Sequence, residues 1–138
     1  MRHFILASHS TFAEGIYGSV KLIVGEQKGV KILNGYIEQG EDFKKRVKDL
    51  MDTFNDEDEI IVVTDILGGS VNNEFMKCLK REKFYLLTGM NLPMLIELFL
   101  QEEEERDTKK LLESVTKIGS ESVLFCNLLC SESDEEDF

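Results

Sequence analysis

"DEIIVVTDILGGS", residues 58–70, reads as a buried strand that turns directly into a helix. Ile60, Ile61, Val62 and Val63 form an uninterrupted β-branched run, bounded by acids at Asp58, Glu59 and Asp65. A run of this kind, without polar alternation, fits a strand covered on both faces, as in a parallel sheet. Gly68 and Gly69 let the backbone turn and approach a ligand closely, and Ser70 is a natural N-cap for a helix from about Ser70 to Lys80.

The same alternation extends outward in both directions. "HFILA" (3–7) reads as a first strand, and "FAEGIYGSVKLIVG" (12–25) as a helix closed by Gly25. "GVKILNGYI" (29–37) reads as a second strand. In the helix that follows, Phe43, Val47, Leu50, Met51 and Phe54 share one face. Beyond the central run, "KFYLLTG" (83–89) is a fourth strand, and "NLPMLIELFLQ" (91–101) a helix with Pro93 in its first turn, where a missing N–H is tolerated. "DTKKLLESVTKIG" (107–119) is a further helix, and "ESVLFCNLL" (121–129) is expected to close the chain as a fifth strand. Strands alternating with helices predict an α/β fold: a doubly wound, mainly parallel sheet covered on both faces. Right-handed crossovers and the chain length favour the order 2-1-3-4, with the C-terminal strand at an edge.

With 138 residues, 42% of them hydrophobic, the chain fits one domain, expected over 1–130, followed by an acidic, disordered tail at 131–138. The formal net charge is −11, but Glu102 to Glu105 and the five acids between Glu132 and Asp137 account for most of it, leaving about −2 elsewhere. Both acidic clusters read as solvated. The absence of a basic stripe argues against nucleic acid as a partner. No apolar stretch approaches the roughly 20 residues of a membrane span, and the N-terminus does not resemble a signal peptide, so a cytoplasmic protein is expected. Cys78, Cys126 and Cys130 are an odd, widely spaced set, and with two histidines in the chain they predict buried reduced thiols rather than a zinc site. No metal and no cofactor are expected.

In an open parallel sheet ligands bind beyond the carboxyl ends of the strands, where the strand order reverses. In the order 2-1-3-4 that point lies between the first and third strands. His9 follows the first and Asp65 ends the third, so topology places both at one crevice. A lone histidine at a strand end commonly serves as a solvated residue, and an aspartate there commonly caps a turn. Placed together, the carboxylate can hold one ring nitrogen protonated and leave the other as a lone-pair nucleophile. The backbone at Gly68 and Gly69 with Ser70 offers an anion cradle at a helix start. Neither GxxxxGK[ST] nor GxGxxG is present, so the combination suits a phosphoryl group carried on histidine rather than a nucleotide. His3, at the other end of its strand, reads as structural, and Glu14 as a surface residue.

Four segments, "ASHSTFAEGI" (7–16), "GEQKGV" (25–30), "VTDILGGSVNNEF" (63–75) and "LLTGMNLPMLIEL" (86–98), together resemble the enzyme IIA component of the mannose family of the sugar phosphotransferase system. The resemblance implies a phosphotransferase component: His9 accepts phosphate from the phosphocarrier protein HPr on Nε2 and passes it to a IIB component during sugar uptake. It implies that Asp65 orients the imidazole, that Gly68, Gly69 and Ser70 form the loop beside the phosphohistidine, and that the chain is a homodimer exchanging a C-terminal strand. Because the sequence stops at Phe138 without a Pro/Ala linker, the IIB partner is expected on a separate chain. Ser10 and Val71 depart from the glycine and proline usual in the family.

A carrier reached by two proteins needs an accessible histidine ringed by apolar surface, for which Phe12, Ile66, Leu67 and Met90 are the candidates. "SHS" (8–10) also resembles the phosphoryl-donor subunit of dihydroxyacetone kinase, whose match to the second half is poorer. A histidine phosphatase would need an arginine at the site, and Arg2 lies at the opposite end of the strand. A non-catalytic receiver-like module would need an acidic cluster where Ser8-His9-Ser10 stands.

Overall fold

The computed structural model describes residues 1–129, and in it the β-branched run lies at the centre of a four-stranded parallel sheet. The elements run β1 (Arg2–His9), α1 (Phe12–Val24), β2 (Val30–Gly35), α2 (Phe43–Met51), β3 (Glu59–Thr64), α3 (Ser70–Met76), β4 (Phe84–Thr88), α4 (Leu92–Gln101), α5 (Thr108–Glu121) and α6 (Cys126–Leu129). The strand order is β2-β1-β3-β4, all pairs parallel, as the alternation predicted. Residues 60–63 of β3 are fully buried because helices cover both sheet faces.

The two-residue period of the strands divides the core. Phe4, Leu6, Ile61 and Val63 point to the face covered by α1, α4 and α5, where they meet Ala13, Val20, Leu95, Leu98, Leu111 and Val115. Ile5, Ala7, Ile60 and Val62 point to the other face, against Phe43 and Val47 of α2 and Val71 and Phe75 of α3. Three helices begin at side-chain caps: Asp42, Asn91 and Asp107 accept the N–H of Lys45, Met94 and Lys110 at 3.1, 3.0 and 3.2 Å. The start of α1 is held differently. Ser8, fully buried on β1, accepts the Ala13 N–H at 2.7 Å, so the strand itself fixes where the helix begins.

Several expectations are corrected. Residues 121–129 are not a strand: α5 runs to Glu121 and α6 occupies Cys126–Leu129. Strand preference is realised through cross-strand neighbours, and among the described residues no strand pairs with this segment. Val123, Leu124, Phe125 and Leu128 are consequently exposed, and so is Cys126, which was expected to be buried. Helix α3 ends at Met76 rather than near Lys80, because Cys78 and Leu79 tighten into i→i+3 turns on the way to β4. The expected acidic tail at 131–138, and Cys130, lie outside the described residues.

The Glu102–Glu105 segment is not simply a solvated face. The Arg2 guanidinium, 9% exposed, donates to the carbonyls of Glu102, Glu105 (2.8 Å) and Arg106 (3.0 Å) and to the Thr108 hydroxyl (2.9 Å). Its Nε also faces the Glu59 carboxylate at 3.3 Å. One side chain thereby ties the connection from α4 to α5 to the amino ends of β1 and β3. His3 is structural as expected, its Nε2 3.2 Å from the Asp58 carboxylate and its ring against Phe54.

Candidate functional site

His9 is the last residue of β1, and Asp65 follows the last residue of β3. Ala7 pairs with Thr64 across the two strands, which brings both side chains to the switch point of the sheet. One oxygen of Asp65, Oδ2, accepts the His9 backbone N–H at 2.8 Å and lies 2.8 Å from His9 Nδ1. The other oxygen accepts the Ile66 N–H at 3.0 Å. Burial pushes the Asp65 pKa up, but the hydrogen bonds and charge of His9, with the Ile66 N–H, outweigh it and hold the carboxyl below its usual range. A carboxylate that stays ionised keeps the proton on Nδ1 and leaves the lone pair on Nε2. His9 is 42% exposed at its side chain and Asp65 14%, so the imidazole is accessible while the carboxylate beside it is largely enclosed.

The loop after Asp65 closes the other side. Gly68 turns at φ +78°, a conformation open to glycine at no steric cost, and its carbonyl accepts the Asn73 side-chain N–H at 3.2 Å. Gly69, not Ser70, is the residue that caps α3. With the turn made at Gly68, the helix starts at Ser70, whose hydroxyl is free to stand 3.2 Å from His9 Nε2 and donate to its lone pair. Gly69 has no room for a side chain, since an added Cβ would lie 3.0 Å from His9 Cε1 and 2.8 Å from Ile66 Cγ2. Gly69→Ala is therefore expected to displace the imidazole and slow chemistry at Nε2 by roughly 10- to 100-fold, read from single-turnover rates with the thermal midpoint as control.

Ser10 adopts φ +53°, so the position that departs from the family pattern is one where glycine carries no strain. Its backbone bonds, N–H to the Gly35 carbonyl at 2.7 Å and carbonyl to the Ser8 hydroxyl at 3.3 Å, survive any substitution other than proline. Ser10→Gly is expected to raise stability by about 0.5–1 kcal/mol, measurable by urea denaturation. Val71 is fully buried against Phe75 and the β3 face, so this departure fills the core rather than the crevice.

Of the expected apolar rim, Phe12, Ile66 and Leu67 are exposed, at 49%, 56% and 74%. Met90 is not part of it. Its N–H extends the strand pairing to the Thr64 carbonyl at 3.0 Å, which turns the side chain into the core, 5% exposed. Two residues around the site were not read from the sequence. Tyr36, at φ +61° after β2, stacks its ring on His9 with centroids 5.5 Å apart and planes 22° from parallel. Because β2 lies next to β1, the residues that leave it reach the same rim, and "NGYI" (34–37) carried that signal. Asn72, 1% exposed, accepts the Thr64 hydroxyl at 2.7 Å, while Thr64 and Thr88 are 2.8 Å apart. This buried chain joins the residue before Asp65 to the first turn of α3, fixing both ends of the loop. Among the described residues no group of three or more His, Cys, Asp or Glu side chains is placed to hold a metal.

Residues 3–116 match the family described as the phosphotransferase system (PTS) fructose IIA component. The fold is similar to that of a protein from Klebsiella pneumoniae assigned as a phosphoenolpyruvate-dependent sugar PTS permease, with a TM-score of 0.88 and 44% identity over 91% of each chain. A PTS component EIIA from Streptococcus agalactiae matches with a TM-score of 0.80 and 27% identity, over 93% of this chain and 99% of the other. A mannose/sorbose-specific IIA subunit from Enterococcus faecalis matches with a TM-score of 0.79 and 25% identity, over 90% and 93%.

Proposed function

The chain belongs to the PTS fructose IIA component family, and on that premise we propose that it takes a phosphoryl group from HPr onto Nε2 of His9 and passes it to a IIB component. The observation that carries this is the pairing of His9 Nδ1 with Asp65, which leaves a partly exposed Nε2 as the nucleophile. In the transfer, Nε2 forms a bond to phosphorus as the donor's P–N bond breaks, and that bond's electron pair returns to the donor. Nδ1 keeps its proton, so the phosphorylated ring becomes an imidazolium, stabilised by the Asp65 carboxylate. The Ser70 hydroxyl swings from Nε2 to a phosphoryl oxygen, and the backbone at Gly68 and Gly69 lies beside the same group. Phosphohistidine donor and phosphohistidine product have similar energies, so alignment and charge stabilisation supply the catalysis.

Phe12, Tyr36, Ile37, Ile66 and Leu67 offer exposed apolar surface on the segments around the site for two successive partners in the cytoplasm. A hydrolase using His9 would require a cation at the phosphate. Arg2 lies seven residues back along β1, roughly 23 Å away at strand rise, with its guanidinium engaged elsewhere.

The chain is also proposed to form a homodimer. The open edge of β4 and α5 border an apolar groove of about 700 Å³ lined by Phe84, Leu86 and Leu112, and the exposed Val123, Leu124, Phe125 and Leu128 supply apolar surface for packing between two copies. Sedimentation of the intact chain is expected to show a dimer, and a monomer at high concentration would refute the association.

The functional proposal is tested by incubation with phosphoenolpyruvate, enzyme I and HPr followed by mass measurement. One added phosphoryl group, acid-labile and base-stable, is expected. A chain left unmodified by active components would refute the proposal.

A further inference from the structure

The ring stacked on His9 is held there against a local preference. Tyr36 sits at φ +61°, a left-handed conformation that costs a residue with a Cβ about 1–2 kcal/mol and that glycine would adopt freely. A braced hydrogen bond and a ring contact keep it in place. Its N–H donates to the Glu41 carboxylate, which in turn pairs with Arg46, and Arg46 donates to the Asn34 carbonyl at 2.8 Å. The back of the ring stacks on Phe43, centroids 5.1 Å apart, and Phe43 is itself 3% exposed. Gly35 makes that approach possible, because a Cβ there would stand 2.8 Å from Phe43 Cε1. The result is a column of three rings, Phe43, Tyr36 and His9, anchored in the core at one end and ending on the nucleophile. Strained residues maintained by several surrounding contacts cluster at functional sites.

Resting on the carrier function proposed above, we propose that Tyr36 is a positioning residue for phosphoryl transfer: it fixes the plane of the His9 imidazole and stabilises the positively charged ring formed on phosphorylation. The form of the ring that can attack phosphorus is the neutral one, with its proton on Nδ1 and a lone pair on Nε2. Once the P–Nε2 bond forms, with no proton lost, the ring carries a positive charge. A cation within about 6 Å of a tyrosine ring centroid is attracted by the negative face of the π system, and the His9 ring lies within that distance. Asp65 meets the new charge in the ring plane at Nδ1, and Tyr36 meets it across the face. The phosphorylated state is thus favoured over the free one, which shifts the exchange equilibrium with the donor toward this chain.

The test compares wild type with Tyr36→Phe, Tyr36→Leu and Tyr36→Gly. The equilibrium of phosphoryl exchange with phospho-HPr is measured alongside the NMR shifts of the His9 ring protons and the thermal midpoint. Phe keeps the aromatic face and is expected to leave the equilibrium unchanged. Leu and Gly are each expected to shift it about 3- to 10-fold toward the donor and to remove the ring-current shift at His9. Gly also relaxes the backbone, so it keeps the fold while losing the ring. A role in packing alone predicts the midpoint moving without the equilibrium, and that result overturns the proposal. A shift in Tyr36→Phe as large as in Tyr36→Leu overturns it too, since the hydroxyl would then be the active group. A wild type that takes no phosphoryl group overturns the carrier function and this proposal together. A normally phosphorylated wild type with an unshifted Leu variant overturns this one alone.

Discussion

Asp65→Asn is expected to slow the proposed phosphoryl transfer to His9 by about 100- to 10,000-fold and to leave the fold in place. The aspartate does three things through two oxygens. Oδ2 holds the His9 backbone and Nδ1 together, and Oδ1 anchors the Ile66 N–H at the start of the phosphate loop. An asparagine that turns its oxygen toward Nδ1 preserves the tautomer but removes the charge that balances the imidazolium. One that turns its NH₂ toward Nδ1 forces the proton to Nε2 and blocks the nucleophile. Either way the loss falls on the chemical step, so rapid-quench kinetics with phospho-HPr are expected to show a reduced rate at saturating donor. A rate equal to wild type would refute the orienting role.

The same carboxylate sets an acid limit. Its pKa is depressed in the folded chain, so its contribution to stability is complete above the ordinary aspartate value near 3.9 and is lost as pH falls through the lower folded value. Loss of the proposed transfer through protonation of Asp65 is therefore expected only below the usual carboxylate range, read from the pH dependence of the transfer rate.

Arg2→Ala is expected to cost about 3–5 kcal/mol of stability, the largest effect on folding anticipated for a single side chain away from the hydrophobic core. Truncation leaves the Glu59 carboxylate without its guanidinium and strands the carbonyls of Glu102, Glu105 and Arg106. Thr108, 4% exposed, keeps its bond to Glu59 but loses the fork that placed both. Lysine restores the charge without the planar fork and cannot reach this set of acceptors together, so Arg2→Lys recovers only part of the loss. Urea denaturation reads the difference directly. A change within about 0.5 kcal/mol, typical of surface substitutions, would show that Arg2 decorates the surface rather than tying the two ends of the fold.

The fold was legible wherever one sequence signal had one physical cause. Residues 60–63 are hydrophobic without interruption because both faces of β3 are covered, and the position of His9 and Asp65 follows from strand order alone. What escaped depended on contacts between distant segments. Ser8 looks like any polar strand end, yet it caps a helix from the preceding strand. Met90 looks like a loop residue, but a single backbone bond to Thr64 turns it inward. Ser70 resembles an N-cap, but after the turn at Gly68 the cap is Gly69, and the Ser70 hydroxyl stands at His9 instead. Tyr36 stacks on His9 through a backbone conformation that propensity argues against. The segment 121–129 has strand composition, and composition alone cannot provide a ladder. The role of Arg2 was not read from the sequence, because three of its acceptors are backbone carbonyls, which leave no trace in side-chain pattern.

The measurement that bears most directly on the central claim is the nitrogen that carries phosphorus. Chain labelled with ¹⁵N, phosphorylated by enzyme I and HPr, is expected to show phosphorus coupled to Nε2 of His9 while Nδ1 remains protonated toward Asp65, with no labelling of His9→Ala. Phosphorus on Nδ1, on His3 or on a carboxylate, or a His9→Ala chain that still accepts it, would contradict the account.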